Sequence, residues 1–277
     1  MPLDVPLPRG YRPEYPLRYF ARDPESPSER VTGTTIAKAF VLDGKPRLLT
    51  IDLGKTAARC SVKLPRVIDR MLGLHCNPAP FERFVAANPR YAPLIAGRRG
   101  LRIPMTPTVF EGIVWAIVGQ QVNLAFAYKL RRVVTELAGT PVGGLIAHPD
   151  AAAVAKLDYD DLTRRQFSRR KAEYLIDVAR LIATGTLDVE GMPGAAPEEV
   201  YDELMAVRGF GEWTTNYVMM RSCGFLDCVP YGDSGLASGL RKFFALETRP
   251  TREDTEHLMK PFSPYRSLAT FHLWMTI

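Results

Sequence analysis

Asp233 heads an apolar helical pattern (Leu236, Leu240, Phe243, Phe244) and stands twenty-two residues after a Gly209-Phe210-Gly211 turn. A carboxylate so placed can cap the helix by accepting hydrogen bonds from its free amides. It can also hold a positive charge that develops on a bound substrate. The turn has a chemistry of its own. Two glycines two apart, between helical segments, permit positive φ and expose bare backbone N–H groups. Those groups sit at the start of a helix opening with Glu212-Trp213-Thr214, where the helix dipole favours an anion. The turn therefore reads either as a tight connection or as a phosphate cradle blind to base sequence. Trp213 and Tyr217 are four apart and share a helix face; aromatics there pack a core or stack a planar ligand. Arg164, Arg165, Arg169, Arg170 and Lys171 put five cations into eight residues, which is either a solvated face or a grip on a polyanion.

Leu204 to Gly211 followed by Trp213-Thr214-Thr215-Asn216-Tyr217 resembles the helix-hairpin-helix of the DNA glycosylase superfamily, and Asp233 resembles its catalytic aspartate. Phe110-Glu111 through Gly119-Gln120-Gln121-Val122-Asn123 is similar to the helix–loop–helix that approaches the DNA minor groove in that superfamily. Pro264-Tyr265-Arg266-Ser267 to Phe271-His272-Leu273-Trp274 resembles the C-terminal helix of the 3-methyladenine DNA glycosylase II group. Leu74 to Pro78 and Gly100 to Pro104 resemble stretches in and after that group's N-terminal domain. The resemblance covers most of residues 30–277. Arg208 departs from it, standing where the superfamily usually has proline.

The resemblance implies an enzyme that flips a damaged base out of double-stranded DNA and hydrolyses its N-glycosidic bond, with N3- and N7-alkylated purines as substrates. Asp233 would be catalytic. Trp213, Tyr217 and Trp274 would line the base pocket, and Gln121 would be the wedge, where the group often has leucine. Gly209, Gly211 and Thr214 would hold a DNA phosphate. Backbone of Val207 and Gly209 would hold a sodium or potassium ion; no side-chain metal site is implied. Bifunctional relatives carry a lysine two residues after the second hairpin glycine, as the nucleophile for strand cleavage. Trp213 stands there, which implies a monofunctional enzyme. Two other readings remain: a glycosylase for oxidised or deaminated bases, and a non-catalytic damage-binding or adaptor protein.

The formal charge of +6 suits a polyanionic partner. The four cysteines (Cys60, Cys76, Cys223, Cys228) are too scattered for a disulfide framework or a zinc site. Because none follows Cys228, the iron–sulfur cluster of some superfamily members is not expected. No apolar run is long enough for a membrane span, and the N-terminus does not read as a secretory signal. A cytoplasmic monomer is expected.

The elements that must position these residues make an α+β chain, with a small mixed α/β domain over residues 1–97 and an all-helical domain over 98–277. Thr34 to Leu42 and Arg47 to Leu53 read as a hairpin turned at Asp43-Gly44-Lys45. Val67 to Leu72 and Phe81 to Ala87 read as short helices, and Tyr91 to Pro107 as the domain seam. Thr108 and Glu111 form a capping box for a helix whose apolar face carries Phe110, Val114 and Ile117. That helix breaks at Val118 to Asn123, and Asn123 caps the next one, which runs to Ala138 and stops at Gly139. Further helices are expected from Ser168 to Gly185, from Pro197 into the hairpin, over Arg249 to Lys260 and over Pro264 to Thr276.

Overall fold

The structure, a computed structural model, describes residues 2–277. Five antiparallel strands form its sheet: β1 (Leu3–Pro6), β2 (Glu29–Thr32), β3 (Thr35–Leu42), β4 (Lys45–Leu53) and β5 (Ala57–Cys60), in the order β1-β5-β4-β3-β2. The expected hairpin is β3–β4, with Leu42 opposite Lys45. Asp43 and Gly44 both take positive φ, as a two-residue turn matched to strand twist requires. Helix α1 (Glu14–Phe20) lies between β1 and β2, and α2 (Pro65–Leu72) and α3 (Ala79–Ala86) follow the sheet.

The second half holds α4 (Val109–Gly119), α5 (Leu124–Ala138), a small hairpin β6 (Thr140–Val142) and β7 (Leu145–Ala147), α6 (Ala151–Val154), α7 (Tyr159–Thr163) and α8 (Arg169–Ala183). Then come α9 (Pro197–Met205), α10 (Glu212–Val218), which runs on into one π turn at Met219–Cys223, α11 (Ser234–Phe243), α12 (Arg252–Met259) and α13 (Arg266–Trp274). No helix among the described residues is long and apolar enough to cross a membrane. This half is not purely helical, because β6–β7 lies against the sheet. The His148 N–H donates to the Ala39 carbonyl and the Val41 N–H to the His148 carbonyl, each at 3.0 Å. Ala39, Val41 and Ala147 are buried between them.

Two larger cores carry the rest. One runs from Leu7 to Leu72 under the sheet. The other begins at Cys76 and includes Phe81, Val85, Leu94 and Ile95 with the helices. So α3 and the Tyr91–Pro107 stretch pack with the helical core, although they lie mostly before residue 98. Helix α4 is buried from Val109 through Val118 on every side, not along one stripe as expected. The Thr108 hydroxyl does accept from the Glu111 N–H at 3.2 Å, but the capping box is only half made. The Glu111 side chain turns inward, and Glu190 takes over the helix start by accepting from the Val109 and Phe110 amides at 2.8 and 3.2 Å.

Glu111 turns inward to meet a cation. Lys38 Nζ of β3 lies 2.6 Å from Glu111 and 2.9 Å from Glu29 of β2. Arg131 of α5 lies 2.7 Å from Glu29 and 2.8 Å from Glu111. All four residues are buried. Burial alone would raise the two carboxyls, yet Arg131 and Lys38 hold Glu29 far below the usual carboxylate range, and the same cations with His148 hold Glu111 below it. Removing one member leaves an uncompensated buried charge. Lys38→Met should therefore lower the unfolding free energy at neutral pH by about 3–5 kcal/mol, measured by urea denaturation. A loss no larger than that of an exposed lysine would mean that the quartet does not join sheet to helices.

Candidate active site

Asp233 is the N-cap of α11, and its carboxylate is held from three sides. Oδ1 accepts the Leu236 N–H at 2.7 Å and the Trp274 indole N–H at 2.9 Å. Oδ2 accepts the Trp213 indole N–H at 3.0 Å and keeps a lone-pair position open. The capping and substrate-facing alternatives are thus not exclusive, since Oδ1 caps the helix and bonds Trp274 while Oδ2 bonds only Trp213. The shared helix face expected of Trp213 and Tyr217 is realised as a stack, with ring centres 5.2 Å apart and planes at 28°. Tyr217 also lies 6.1 Å from Trp274 of α13. Residues from α10, α11 and α13 therefore meet at one carboxylate. Gly235 allows this closeness, because a Cβ there would press on Trp274 and Asp233 at 3.1–3.2 Å.

Asp227, the other acidic residue nearby in sequence, is already committed. Burial would raise it, but hydrogen bonds from Arg266 and Ser263 hold it below its ordinary range. His272 is fully buried against Phe81, and burial, its largest influence, pushes it down to about 3. It is no proton donor for a substrate.

The hairpin turn differs from its expected geometry. Only Gly209 has positive φ, at +91°, and a Cβ there would overlap the Tyr174 ring. Gly211 is extended (φ −120°, ψ −178°), caps α10 and faces open space. A glycine there leaves the backbone open to the outside, and no left-handed turn requires it. The Thr214 side chain is buried and accepts from Gln120, so only its backbone N–H remains for an anion. Arg208 forms ion pairs with Glu173 at 2.8 Å and Asp177 at 3.3 Å, tying the turn to α8.

The α4–α5 loop breaks where expected, and Asn123 caps α5 through the Phe126 N–H at 2.9 Å. Gln121 is exposed at φ +53°, a projecting position that a wedge needs. Sequence reasoning missed its neighbour. Gln120 turns inward, and its Nε2 donates to the Gly209 carbonyl at 2.9 Å and to the Thr214 hydroxyl at 3.0 Å. Two adjacent glutamines after a helix end, one turned in and one out, were the available signal. Lys171, grouped by sequence with the surface cations, is half-buried and donates to the Val118 carbonyl at 2.7 Å; burial pushes it down to about 8. Arg169 pairs with Asp160 and Glu173. Four of the five cations are exposed, and of these Arg164, Arg165 and Arg170 form no ion pair among the described residues. The four cysteines are buried and unpaired.

A hairpin between helices, an aspartate capping the next helix and an aromatic cluster around its carboxylate define a helix-hairpin-helix protein with one acidic centre. Residues 114–264 match the pattern described as HhH-GPD superfamily base excision DNA repair protein. The Bacillus subtilis protein YfjP is 35% identical over 178 residues, which is 64% of this chain and 62% of that one. DNA-3-methyladenine glycosylase 2 of Escherichia coli is 32% identical over 231 residues, 82% of this chain and 75% of its own. Among solved structures, a 3-methyladenine DNA-glycosylase from Archaeoglobus fulgidus superposes with a TM-score of 0.87 at 22% identity, covering 99% of this chain and 97% of that one, so the two share a fold. The chain belongs to the HhH-GPD superfamily of base excision DNA repair proteins.

The two hairpin glycines should respond differently to substitution. Gly209→Ala meets both a left-handed backbone and the Tyr174 ring, and should cost about 2–4 kcal/mol of stability. Gly211→Ala, extended and unobstructed, should stay within about 0.5 kcal/mol of the parent. Urea unfolding of the two variants side by side measures the difference; equal losses would contradict the assigned roles.

Proposed function

We propose that this chain is a monofunctional DNA glycosylase that removes N3- and N7-alkylated purines from duplex DNA. The observation that carries the reading is the Asp233 carboxylate, fixed by two indole N–H groups inside an aromatic cluster. Breaking the N-glycosidic bond sends its electron pair to the base and leaves positive charge on the sugar. Asp233 stabilises that charge and orients the water that completes hydrolysis. The stacked faces of Trp213, Tyr217 and Trp274 hold the flipped base, and favour a cationic one by roughly 0.5–2 kcal/mol. An alkylated purine then departs as a neutral base, so no general acid is needed.

DNA is held away from the chemistry. The exposed backbone at Gly211 and the first amides of α10 face outward for a phosphate, and Gln121 fills the gap left by the flipped base. A monovalent cation fits the hairpin backbone, where the Val207 carbonyl accepts from the Phe210 N–H and the Gly209 carbonyl from Gln120. Each of the two oxygens keeps a second lone pair for an ion, which would steady the turn.

Asp233→Asn keeps a good N-cap but removes the charge. It should fold normally and bind abasic DNA, with excision reduced by about a hundredfold or more. The measurement is single-turnover excision on duplexes that each carry one lesion. Parent protein should remove 3-methyladenine and 7-methylguanine ahead of hypoxanthine and 8-oxoguanine. Parent-like rates in the variant would remove Asp233 from catalysis, and faster loss of 8-oxoguanine than of 7-methylguanine would favour the oxidised-base reading.

Trp213 provides no amine for attack on the sugar. Borohydride added during turnover should therefore trap no protein–DNA adduct, and product strands should break only after alkali. A trapped adduct would show another amine at work and end the monofunctional assignment.

A further inference from the structure

Glu212 is the first residue of α10 and directly follows Gly211, whose backbone opens to the outside. An acidic residue in the first turn suits the helix, because it complements the dipole. It does not suit a phosphate, which seeks the same positive field and the same free amides. Side chains lean toward the N-terminus of their helix, so the Glu212 carboxylate starts out on the side of the turn. A free carboxylate there would repel the anion that the turn is proposed to hold.

Arg252, the first residue of α12, covers that carboxylate. Its Nε donates to Glu212 Oε2 at 3.1 Å and its Nη2 to Oε1 at 2.6 Å, a two-pronged pair that fixes the orientation of both groups. Its Nη1 donates to Glu256, one turn further along α12, at 2.7 Å. The guanidinium also lies over the Tyr231 ring, 4.6 Å from its centre, and Tyr231 stands two residues before Asp233. Among the described residues, no other cation pairs with Glu212. The Arg252 side chain is 52% exposed, and a surface pair of this kind adds little to stability. Its consequence is local and electrostatic. One side chain joins the helix behind the phosphate turn, the loop that leads to Asp233, and α12.

We propose that Arg252 is a positioning residue for DNA binding: by covering Glu212 it keeps the phosphate turn free of a competing carboxylate. The inference rests on the phosphate-holding part of the excision reading. Paired on both oxygens, Glu212 still complements the α10 dipole but is held in one orientation with its charge offset. Without Arg252 the carboxylate is free to swing toward the amides of the turn, and it faces the incoming phosphate as a bare like charge. A like charge one helical turn from a phosphate at a protein surface changes affinity by about tenfold.

The test is binding to a duplex with one tetrahydrofuran abasic analogue, together with single-turnover excision of 7-methylguanine at saturating protein. The proteins compared are the parent, Arg252→Gln, Glu212→Gln and the double variant. Arg252→Gln should weaken binding about tenfold, while its saturated excision rate stays within about twofold of the parent. Glu212→Gln should bind at least as tightly as the parent. The double variant should return to within about threefold of parent affinity, because the carboxylate that Arg252 covered is gone. A double variant as weak as Arg252→Gln would mean that Arg252 touches the DNA itself. Glu212→Gln as weak as Arg252→Gln would mean that the pair only braces the fold. Either result, or parent-like binding by Arg252→Gln, would overturn the proposal. Parent protein that binds the duplex without excising 7-methylguanine would count against the excision reading and leave this comparison intact; parent protein that binds no duplex would overturn both.

Discussion

Two carboxylates and two cations are sealed between the sheet and the helices, and the geometry of the site depends on their being satisfied together. Glu29 and Lys38 come from neighbouring strands, Glu111 and Arg131 from neighbouring helices. Each acid meets both bases, so no member can shift without exposing another to a low dielectric. The arrangement adds little net stability compared with an apolar core of equal volume. What it supplies is registry, because only one placement of α4 against the sheet satisfies all four contacts. Helix α4 then carries that placement along its length, presenting Trp115 to Tyr217 midway and delivering Gln120 and Gln121 just past its end. It also packs tightly along its length, since Gly112 leaves no room for a side chain beside Ser222 of the π turn.

A second set of polar contacts couples the wedge loop to the phosphate turn. Gln120 bonds the turn directly, Lys171 bonds the last turn of α4, and Arg208 ties the turn to Glu173 and Asp177 on α8. The Tyr174 ring fills the space beneath Gly209, one helical turn from Lys171. Helix α8 is thus a common support for both the part that would enter the duplex and the part that would hold its backbone. Such a frame fixes the distance between them, which the extrusion of a single nucleotide demands. The same contacts account for Arg208 in a place where the superfamily usually has proline. The ion pairs restrain the turn by a different physical means.

Local chemistry was legible in the sequence wherever neighbours along the chain decide the outcome. Asp43-Gly44 gave the β3–β4 turn, Asn123 gave a helix cap, Ser168 marked a helix start, and the four-residue spacing of Trp213 and Tyr217 gave a shared helix face. Strands of three or four residues, such as β1, β5, β6 and β7, leave too little alternation to read. The Gly143-Gly144 pair was a usable turn signal for β6–β7, but its strands are defined by the sheet they lie against. Long-range partners were not legible. Glu111 looked like half of a capping box because its local partner is three residues away, whereas its actual partners, Lys38 and Arg131, are brought in by the fold. Gly211 looked equivalent to Gly209, and only the packing of Tyr174 distinguishes them.

Position 213 shows how one side chain sets the chemistry available to the carboxylate. Trp213 Nε1 lies 3.0 Å from Asp233 Oδ2, so whatever group stands there works directly on that oxygen. An amine there would be drawn toward the carboxylate and poised to attack the sugar, with Asp233 as its partner. The indole offers a single N–H and no nucleophilic lone pair. It can orient the carboxylate and present a face to a base, but it cannot form a covalent bond to C1′. On the proposed excision reading, Asp233 would act by its charge and through water, and the best use of a lone fixed charge is on a leaving base that already carries the opposite one. The absence of an amine at 213, the crowding of aromatic faces around Asp233 and the burial of His272 away from proton transfer all support the proposed chemistry, hydrolysis of a glycosidic bond that alkylation has already weakened.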